Sequence, residues 1–334
     1  MKIAVLGAGT WGAALASLLK TNGCEVSLWS ALPKEIDMLK STGEHKNLPG
    51  AKMPAGIIYE TDISKALFSA NVALFVTASE YLRATVKAAA PHLAPGTILA
   101  TATKGIEKGT LFTMSEVIED EIKKHTSEKF DTVALSGPTH AEEVAKNLPT
   151  SIVSASENEA VAMKLAELVS NGYMRAYTNT DIKGVEISGA FKNIIALAAG
   201  ITRGMGFGDN ALAMLMTRGI AEITRIGLAM GSHRRTFMGL AGIGDLIVTC
   251  TSRHSRNNRC GELIGRGLSY EEASREIGMV VEGYHALEAG KALAEKYSVE
   301  MPITEAVYEV IMNGVSPINA MKKLMSRDLK SELG

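Results

Sequence analysis

Lys2-Ile-Ala-Val-Leu-Gly7-Ala-Gly9-Thr-Trp-Gly12-Ala-Ala14 joins an apolar run to a glycine-rich segment and the start of an amphipathic one. The apolar residues 3–6 are long enough for a buried strand and too short for a helix. Residues 13–19 have the apolar spacing of a helix. The stretch therefore predicts a strand, a tight turn and a helix in direct succession.

The three glycines of this stretch stand at G-x-G-x-x-G spacing, and each has a separate mechanical job. Gly7 allows the tight turn, Gly9 leaves bare backbone for a diphosphate, and Gly12 lets the helix pack closely on the strand. The helix start offers N–H groups and a partial positive charge to phosphates. The spacing alone is a weak signal, but between a strand and a helix it predicts binding of NAD or NADP.

The composition is that of a globular protein. With 334 residues, the chain is long enough for two domains of ordinary size. Charged residues make up 21% and hydrophobic residues 46%, which argues against wholesale disorder. The formal net charge of -1 favours neither nucleic acid nor an anionic membrane as a partner. An anionic substrate therefore requires a local basic cluster.

Cysteine usage and hydropathy predict a cytoplasmic protein. Cys24, Cys250 and Cys260 are too scattered for a disulfide framework and lack zinc-ligand spacing, so we expect reduced thiols and no metal site. Lys192 interrupts the most hydrophobic region, so we expect no stable membrane insertion. The N-terminus enters a strand at once and shows no signal-peptide pattern.

Strand and helix signals alternate through the first half of the chain. Short apolar runs predict strands at residues 3–6, 25–30, 57–59, 71–77, 97–101, 132–136, 151–156 and 174–178. The intervening helical segments predict a Rossmann-type, doubly wound parallel sheet. From residue 181 onward, only helical signals appear. The sequence therefore predicts an α/β dinucleotide-binding domain over residues 1–180 and an all-α, C-terminal substrate and catalytic domain over residues 181–334.

The end of the second predicted strand carries neither usual signal for cofactor choice. An acidic residue there binds the ribose of NAD, whereas a nearby Arg accommodates the phosphate of NADP. This chain has Ser30 and Ala31, followed by Lys34. The choice between NAD and NADP stays open, and Ser30 and Lys34 slightly favour tolerance of the phosphate.

Two further strand ends carry candidate ligand-binding groups. Lys104 follows strand 97–101 and precedes a glycine, so its ammonium group either reaches a ligand or lies solvated in a turn. Gly137-Pro138-Thr139 follows strand 132–136 and either presents N–H groups and a hydroxyl to a ligand or forms an ordinary turn. Position alone leaves these alternatives open.

Lys192 stands among apolar residues on the first predicted helix of the second domain. Burial favours loss of its proton and a nearby carboxylate opposes that loss, so such a group can exchange protons with a carbonyl or alcohol. The alternative is a lysine whose stem lines the core while its head stays in water. Asp245, in a glycine-rich stretch, either faces Lys192 or a substrate hydroxyl, or caps the element that follows.

Residues 252–259 form the densest basic cluster of the chain. Within it, Ser255-Arg256-Asn257 suits a single phosphate, because a guanidinium presents a planar fork to phosphate oxygens. The cluster is short and lacks interleaved aromatic residues, which disfavours nucleic acid. A solvated basic loop is the alternative.

A resemblance runs through these motifs in chain order. The chain resembles the NAD(P)-dependent glycerol-3-phosphate dehydrogenases in Gly7-Ala-Gly-Thr-Trp-Gly12, Thr103-Lys-Gly-Ile-Glu107, Gly137-Pro-Thr139, Ser188-Gly-Ala-Phe-Lys-Asn193, Gly244-Asp-Leu246 and Ser255-Arg-Asn257. The resemblance implies reversible reduction of dihydroxyacetone phosphate, a small phosphorylated substrate, to sn-glycerol 3-phosphate for phospholipid synthesis. It also suggests a homodimer.

The resemblance further implies a role for each matched residue. Lys192 is the proton-transferring residue. The residues that hold substrate are Lys104, Gly137, Thr139, Lys192, Asp245, Ser255, Arg256 and Asn257. The residues that hold cofactor are Gly7, Gly9, Thr10, Trp11, Gly12, Lys104, Ala141, Arg256, Val280 and Glu282.

Some positions depart from the family's pattern. Ala31 replaces a basic residue, Tyr284-His285 replace smaller residues and a threonine, and Leu212 replaces a lysine. None of these positions concerns the proton transfer. Two other interpretations are a two-domain dehydrogenase of a hydroxy acid or sugar acid, and a nicotinamide-sensing module in which Lys192 is dispensable.

Overall fold

The structure, a computed structural model, describes residues 1–329 and 331–332. The chain forms two compact units, one of Met1–Gly189 with Ser232–Asp245, the other of Ala190–Gly231 with Leu246–Gly334. The domain boundary that we predict after residue 180 stays a prediction. Residues 330, 333 and 334 of the predicted second domain lie outside the described residues.

The first unit contains a sheet of eight strands. They are β1 (Lys2–Leu6), β2 (Glu25–Trp29), β3 (Ile58–Glu60), β4 (Val72–Phe75), β5 (Ile98–Thr101), β6 (Thr132–Ser136), β7 (Thr150–Ala155) and β8 (Met174–Asn179). Their order in the sheet is β3-β2-β1-β4-β5-β6-β7-β8. The predicted Rossmann-type, doubly wound sheet is confirmed, and each predicted strand has a counterpart.

One pair of neighbouring strands departs from the predicted parallel arrangement. β6 and β7 pair antiparallel, whereas the other neighbouring strands pair parallel. A parallel return needs a long crossover, usually with a full helix. The link from β6 to β7 contains only the short helix Ala141–Val144, so the chain turns back instead. The sheet is therefore mainly rather than wholly parallel.

Helices cover both faces of the sheet in the first unit. They include α1 (Thr10–Thr21), α2 (Pro33–Thr42), α3 (Ile63–Leu67), α4 (Ser79–Ala89), α5 (Met114–Ile122), α6 (Ala141–Val144) and α7 (Glu159–Val169). Leu15 of α1 and Leu165 of α7 belong to the core of one face, and Leu82 of α4 and Ile118 of α5 to the core of the other. The covered strands β4 and β5 are buried along their whole length.

Helices make up the regular structure described after β8, which confirms the predicted helical C-terminal part. They are α8 (Ile182–Gly204), α9 (Asp209–Ala229), α10 (Arg234–Phe237), α11 (Asp245–Thr251), α12 (Arg256–Gly265), α13 (Tyr270–Ile277), α14 (Glu282–Tyr297), α15 (Pro302–Met312) and α16 (Pro317–Met325), besides a π-helical turn at Leu240–Gly244. Among the described helices, α8 is long and apolar enough to cross a membrane, but its apolar window is 100% buried. That burial is typical of a core helix, which passes the same test of length and composition.

Two glycines on each of α8 and α12 bring these helices together within the second unit. A Cβ at Gly200 or Gly204 would overlap the backbone of α12, and a Cβ at Gly261 or Gly265 would overlap the backbone of α8. Small residues at such a crossing let two helix backbones approach closely. The crossing fixes the start of α12 relative to α8, which carries Lys192.

Candidate active site

The three glycines of the first turn have the geometry that their predicted jobs require. Gly7 has a φ of +129°, a backbone conformation that residues with a side chain rarely adopt. A Cβ at Gly12 would overlap the carbonyl oxygen of Gly7, so α1 can approach β1 only with glycine there. A Cβ at Gly9 would meet no atom within 4 Å. Gly9 therefore borders open space, which is what a diphosphate lying on the backbone needs.

The first turn of α1 has the features of a phosphate site. Gly9 is its N-cap and supplies no side chain to cap the N–H groups of that turn. Thr10 accepts a hydrogen bond from Nδ2 of Asn47 at 3.0 Å, which ties the loop after α2 to this turn. Trp11 packs on the hydrophobic core beside it. A helix start without side-chain caps attracts phosphate oxygens, so the turn fits a dinucleotide.

Lys104, just after β5, forms an ion pair and is not a solvated turn lysine. Its Nζ lies 2.8 Å from Oδ2 of Asp245 and donates to the carbonyl oxygen of Gly137 at 3.3 Å. The side chains of Lys104 and Asp245 are 19% and 1% exposed. Asp245 thus pairs with a lysine 141 residues away along the chain, and its predicted approach to Lys192 or to a substrate hydroxyl stays a prediction. Asp245 is the first residue of α11, and its carboxylate forms this ion pair.

The Gly137-Pro138-Thr139 turn holds the Lys104 ammonium group. Gly137 has a φ of +144°, and the hydroxyl of Thr139 donates to the Gly137 carbonyl at 3.2 Å. The same carbonyl accepts the hydrogen bond from Lys104. Ala141, buried at the start of α6, follows after His140. The turn therefore supplies the carbonyl that accepts from the Lys104 ammonium group, and its binding of a ligand stays a prediction.

Arg83, which the sequence analysis missed, anchors the segment after Lys104. Its Nε and Nη2 each donate to one carboxylate oxygen of Glu107 at 2.7 Å. These bonds are the largest cause that holds the pKa of Glu107 below its ordinary value. Such a bidentate pair fixes geometry as well as charge. Because Glu107 ends the motif that contains Lys104, the pair restrains the loop that carries this lysine.

Lys192 is buried in the second unit. The residue is 7% exposed, and its Nζ donates to Oγ1 of Thr249 at 2.8 Å. A lysine with its head in water would expose that head, so this alternative is wrong. Thr249 lies on α11, 57 residues further along the chain, and no sequence signal marks it as the partner. An ammonium group held away from water is suited to exchange a proton with a substrate oxygen.

The basic cluster leads into a helix, so the alternative of a solvated loop is wrong for Ser255-Arg256-Asn257. Ser255 is the N-cap of α12, and its hydroxyl accepts a hydrogen bond from the backbone N–H of Asn258 at 3.2 Å. Arg256 and Asn257 occupy the first two helical positions, where N–H groups have no partner within a helix. A helix start that carries a guanidinium is suited to an anion.

The side-chain amide of Asn257 is used within the second unit. Its Nδ2 donates to Oδ1 of Asn193 at 2.9 Å, and its Oδ1 accepts from the backbone N–H of Gly283 at 2.9 Å. Asn257 is 8% exposed. Asn193 directly follows Lys192 on α8, and Gly283 lies in the first turn of α14. Asn257 therefore ties the start of α12 to two other helices.

The start of α14 contains two residues that the resemblance assigns to the cofactor. Val280 lies half-buried just before the helix, and Glu282 is its first residue. Tyr284, one of the departures from the family's pattern, stacks on Tyr270 of α13 with ring centroids 4.1 Å apart. The stack packs α13 against α14, which gives this departure a structural partner.

No described residues form a metal-binding group: residues 1–329 and 331–332 contain no set of three or more His, Cys, Asp or Glu side chains placed to hold an ion. Cys24, Cys250 and Cys260 are buried free thiols. Burial raises the pKa of Cys24 and raises that of Cys260 to about 11. These two thiols therefore stay protonated near neutral pH and are poor nucleophiles.

Comparison with known proteins identifies the family. A family profile described as the NAD-dependent glycerol-3-phosphate dehydrogenase N-terminus matches residues 2–162, and its C-terminal counterpart matches residues 181–322. The chain belongs to the NAD-dependent glycerol-3-phosphate dehydrogenase family. The predicted family and the predicted cofactor class, NAD or NADP, are confirmed.

Relatives within this family match nearly the whole chain. A glycerol-3-phosphate dehydrogenase (NAD(P)+) 2 from Lactobacillus delbrueckii subsp. bulgaricus is 52% identical over 333 residues, which is 99% of both chains. A glycerol-3-phosphate dehydrogenase (NAD(P)+) from Enterococcus faecalis is 48% identical over 99% of this chain and 97% of its own. A crystal structure of glycerol-3-phosphate dehydrogenase from Coxiella burnetii has a TM-score of 0.93 and 36% identity, covering 98% of this chain and 99% of its own.

Proposed function

We propose that this chain catalyses the reversible reduction of dihydroxyacetone phosphate to sn-glycerol 3-phosphate with NADH or NADPH. The observation that carries the proposal is the 52% identity over 99% of the chain to a relative named for this activity. The match runs over 333 of the 334 residues and so spans the glycine turn, Lys192 and the start of α12. The product is the backbone of glycerophospholipids, and we propose that the enzyme supplies it for their synthesis.

The glycine turn is the proposed cofactor site. The open space beside Gly9 and the first turn of α1 would receive the diphosphate. When bound, the nicotinamide supplies the hydride that reduces the ketone. The residues proposed to hold the cofactor are Gly7, Gly9, Thr10, Trp11, Gly12, Lys104, Ala141, Arg256, Val280 and Glu282.

Lys192 is the proposed proton donor. Negative charge grows on the ketone oxygen as its carbon is reduced, and a buried ammonium group both stabilises that charge and protonates the oxygen. Thr249 accepts a hydrogen bond from one of the three N–H groups of this ammonium group, which orients the other two N–H groups. In the oxidative direction, the neutral amine takes the proton from the alcohol.

Lys104 is proposed to hold a substrate oxygen. An ammonium group has three N–H donors, and Asp245 and the Gly137 carbonyl receive two of them. The third is available to a ligand. Asp245 and Gly137 would act by fixing the position of this ammonium group. Thr139 would act from the same turn as Gly137, to whose carbonyl its hydroxyl donates.

The start of α12 is the proposed phosphate anchor. The backbone N–H groups of its first turn and the Arg256 guanidinium supply donors and positive charge, and Ser255 sets the helix start. Asn257 would contribute through its backbone and by holding α12 in place, since its amide is already bonded to Asn193 and Gly283. An anchored phosphate holds the ketone in position for reaction.

We further propose that the protein works in the cytoplasm as a homodimer, without nucleic acid as a partner and without stable membrane insertion. The buried free thiols support a reducing compartment. The net charge of -1 gives no attraction to polyanions. The burial of α8 accounts for its hydrophobicity without a membrane. The homodimer rests on the family resemblance.

The test follows nicotinamide absorbance with purified protein and dihydroxyacetone phosphate, using NADH and NADPH separately. We expect turnover with at least one cofactor, and a much higher KM for unphosphorylated dihydroxyacetone because it lacks the phosphate. Cofactor binding without turnover would support a sensing module instead. Preferential turnover of a 2-oxo acid would support the hydroxy-acid dehydrogenase. Either outcome would overturn the proposal.

A further inference from the structure

Glu35 lies in the first turn of α2, and a hydrogen bond from Ser30 holds its carboxylate beside the end of β2. We infer that Glu35 makes this enzyme select NADH over NADPH. The inference rests on the proposed function, because it concerns the cofactor site of the first unit. It goes further by naming the residue that distinguishes the two cofactors.

β2 ends directly beside the glycine turn. The backbone N–H of Gly7 donates to the carbonyl of Trp29 at 2.9 Å, so Ser30 follows the residue to which the turn is bonded. In this type of sheet, the group presented after the second strand meets the ribose whose 2′ position is free in NAD and phosphorylated in NADP. Ser30 is only 4% exposed. Ser30 itself is therefore too buried to face a ribose, and the group that faces it is the Glu35 carboxylate to which Ser30 is bonded.

Ser30 holds the carboxylate of Glu35. Its hydroxyl donates to Oε2 of Glu35 at 2.6 Å and accepts from the backbone N–H of Leu32 at 3.1 Å. Both hydrogen-bonding roles of the hydroxyl are thereby set, and the half-buried Glu35 is fixed at the end of β2. Its Oε1 has no hydrogen bond to the described residues. That oxygen is available as an acceptor for a ribose hydroxyl.

The negative charge of Glu35 is not neutralised by its surroundings. Within residues 1–329 and 331–332, no Lys or Arg forms an ion pair with Glu35, and the neighbouring Lys34 is exposed. Burial lowers the pKa of His45 more than Glu35 raises it, so that ring is neutral near neutral pH. A 2′-phosphate would therefore meet an uncompensated like charge, whereas a 2′-hydroxyl would meet an acceptor.

This arrangement reverses the weak preference suggested by Ser30 and Lys34 in the sequence. The carboxylate stands in the first turn of α2 and not at the strand end itself, and the Ser30 hydroxyl brings it back to the strand. Ala31 and Leu32 supply no guanidinium for a phosphate. The serine therefore orients a carboxylate that binds ribose and does not itself receive a phosphate.

The test measures Kd for NADH and NADPH by nicotinamide fluorescence, and kcat/KM for both with dihydroxyacetone phosphate. Glu35→Gln keeps an acceptor for Ser30 and removes the charge, while Asp37→Asn removes a charge from an exposed position of the same helix. The unsubstituted chain should favour NADH by about tenfold or more, the size of one like-charge contact near a surface. Glu35→Gln should lower the ratio of NADH to NADPH preference about tenfold, chiefly through tighter NADPH binding, and Asp37→Asn should leave that ratio unchanged.

Ser30→Ala keeps the charge of Glu35 but removes the hydrogen bond that holds its carboxylate in place. This variant should lower the same ratio by a smaller factor.

Equal affinity of the unsubstituted chain for both cofactors, or an unchanged ratio in Glu35→Gln, would overturn the inference. The Kd measurement needs no ketone, so it separates this inference from the proposed reaction. A chain that selects NADH but does not reduce dihydroxyacetone phosphate contradicts the proposed function alone. A chain that reduces it equally well with both cofactors contradicts the inference alone.

Discussion

The glycine turn of the first unit and the α8–α12 region of the second unit prepare for ligands by opposite means. In the turn, side chains are missing: Gly7 and Gly12 permit close packing and Gly9 leaves open space, all within six consecutive positions. In the α8–α12 region, buried polar side chains bond to one another. Lys192 reaches Thr249 and Asn257 reaches Asn193, 57 and 64 residues apart.

The difference teaches where each region is vulnerable. A backbone turn has no spare atoms to adjust, so an added methyl group must move the chain. A side-chain network shares its geometry among several bonds, but each broken bond leaves a buried polar partner without its contact. Substitutions in the two regions should therefore have different effects, and three of the four measurements below test this.

The largest expected effect is on catalysis at Lys192. Lys192→Met keeps much of the apolar stem and removes the ammonium group. We expect kcat to fall by about 10²–10⁴, the usual contribution of a positioned acid–base group, while the Kd for NADH changes little. Steady-state kinetics and cofactor titration provide the measurement.

Lys183→Met is the matched control, since Lys183 lies on the same helix and pairs with Glu116 at 2.9 Å. Its kcat should stay near that of the unsubstituted chain. If Lys192→Met also retained near-normal kcat, the buried ammonium group would have no part in the chemistry. The α8–α12 region would then have no catalytic role through Lys192.

The next effect concerns Glu186, a buried polar group where α8 begins in the first unit. Its carboxylate accepts from the backbone N–H of Ser115 at 2.8 Å, and burial raises its pKa from 4.5 to about 7. The folded state therefore holds this proton more tightly than the unfolded chain does. The stability from this group is present below about pH 4.5 and is lost as the pH rises toward 7, by about 3 kcal/mol in all.

Glu186→Gln should remove this part of the pH dependence. The free energy of unfolding in urea, measured at several pH values in this window, should fall less steeply for the variant than for the unsubstituted chain. Glu119→Gln, at an exposed position of α5, serves as control and should keep the original slope. Identical slopes for the Glu186 variant and the unsubstituted chain would show that the buried carboxyl does not titrate there.

Gly12→Ala and Gly9→Ala test separately the packing role and the cofactor-binding role of the glycine turn. Gly12→Ala should lower the free energy of unfolding by about 1–3 kcal/mol or more, because its Cβ overlaps the Gly7 carbonyl. Gly9→Ala should leave stability within about 1 kcal/mol, since its backbone is extended and faces open space. It should instead weaken NADH binding. Equal losses of stability in both variants would contradict the separate jobs of the two glycines.

The smallest effects distinguish two neighbours at the start of α12. Arg256→Ala should raise the KM for dihydroxyacetone phosphate about tenfold and change stability by less than about 0.5 kcal/mol. Asn257→Ala should cost about 1–3 kcal/mol of stability, because Asn193 and the Gly283 N–H lose their partner. Kinetics and urea denaturation report the two quantities. A KM that stays unchanged in Arg256→Ala would place the phosphate anchor elsewhere.

The sequence predicted the regions whose physics is local. Alternating apolar runs and helical segments gave the eight strands, because a buried parallel sheet demands continuous apolar strands. The glycine spacing gave the turn, because backbone freedom at Gly7 and close approach at Gly12 depend on nearby residues alone. The sequence also identified Lys104, Lys192 and Arg256 as candidates, though each kept an alternative role.

Contacts between distant residues were decided only by the tertiary structure. Four sets of contacts join residues far apart in the chain: the partners of Lys104 and of Lys192, the hydrogen bonds of Asn257 to α8 and α14, and the pair of Arg83 with Glu107. The antiparallel β6–β7 pair also depends on how a short link folds back. Sequence periodicity does not predict such contacts, because they form only when packed elements bring remote side chains within hydrogen-bonding distance.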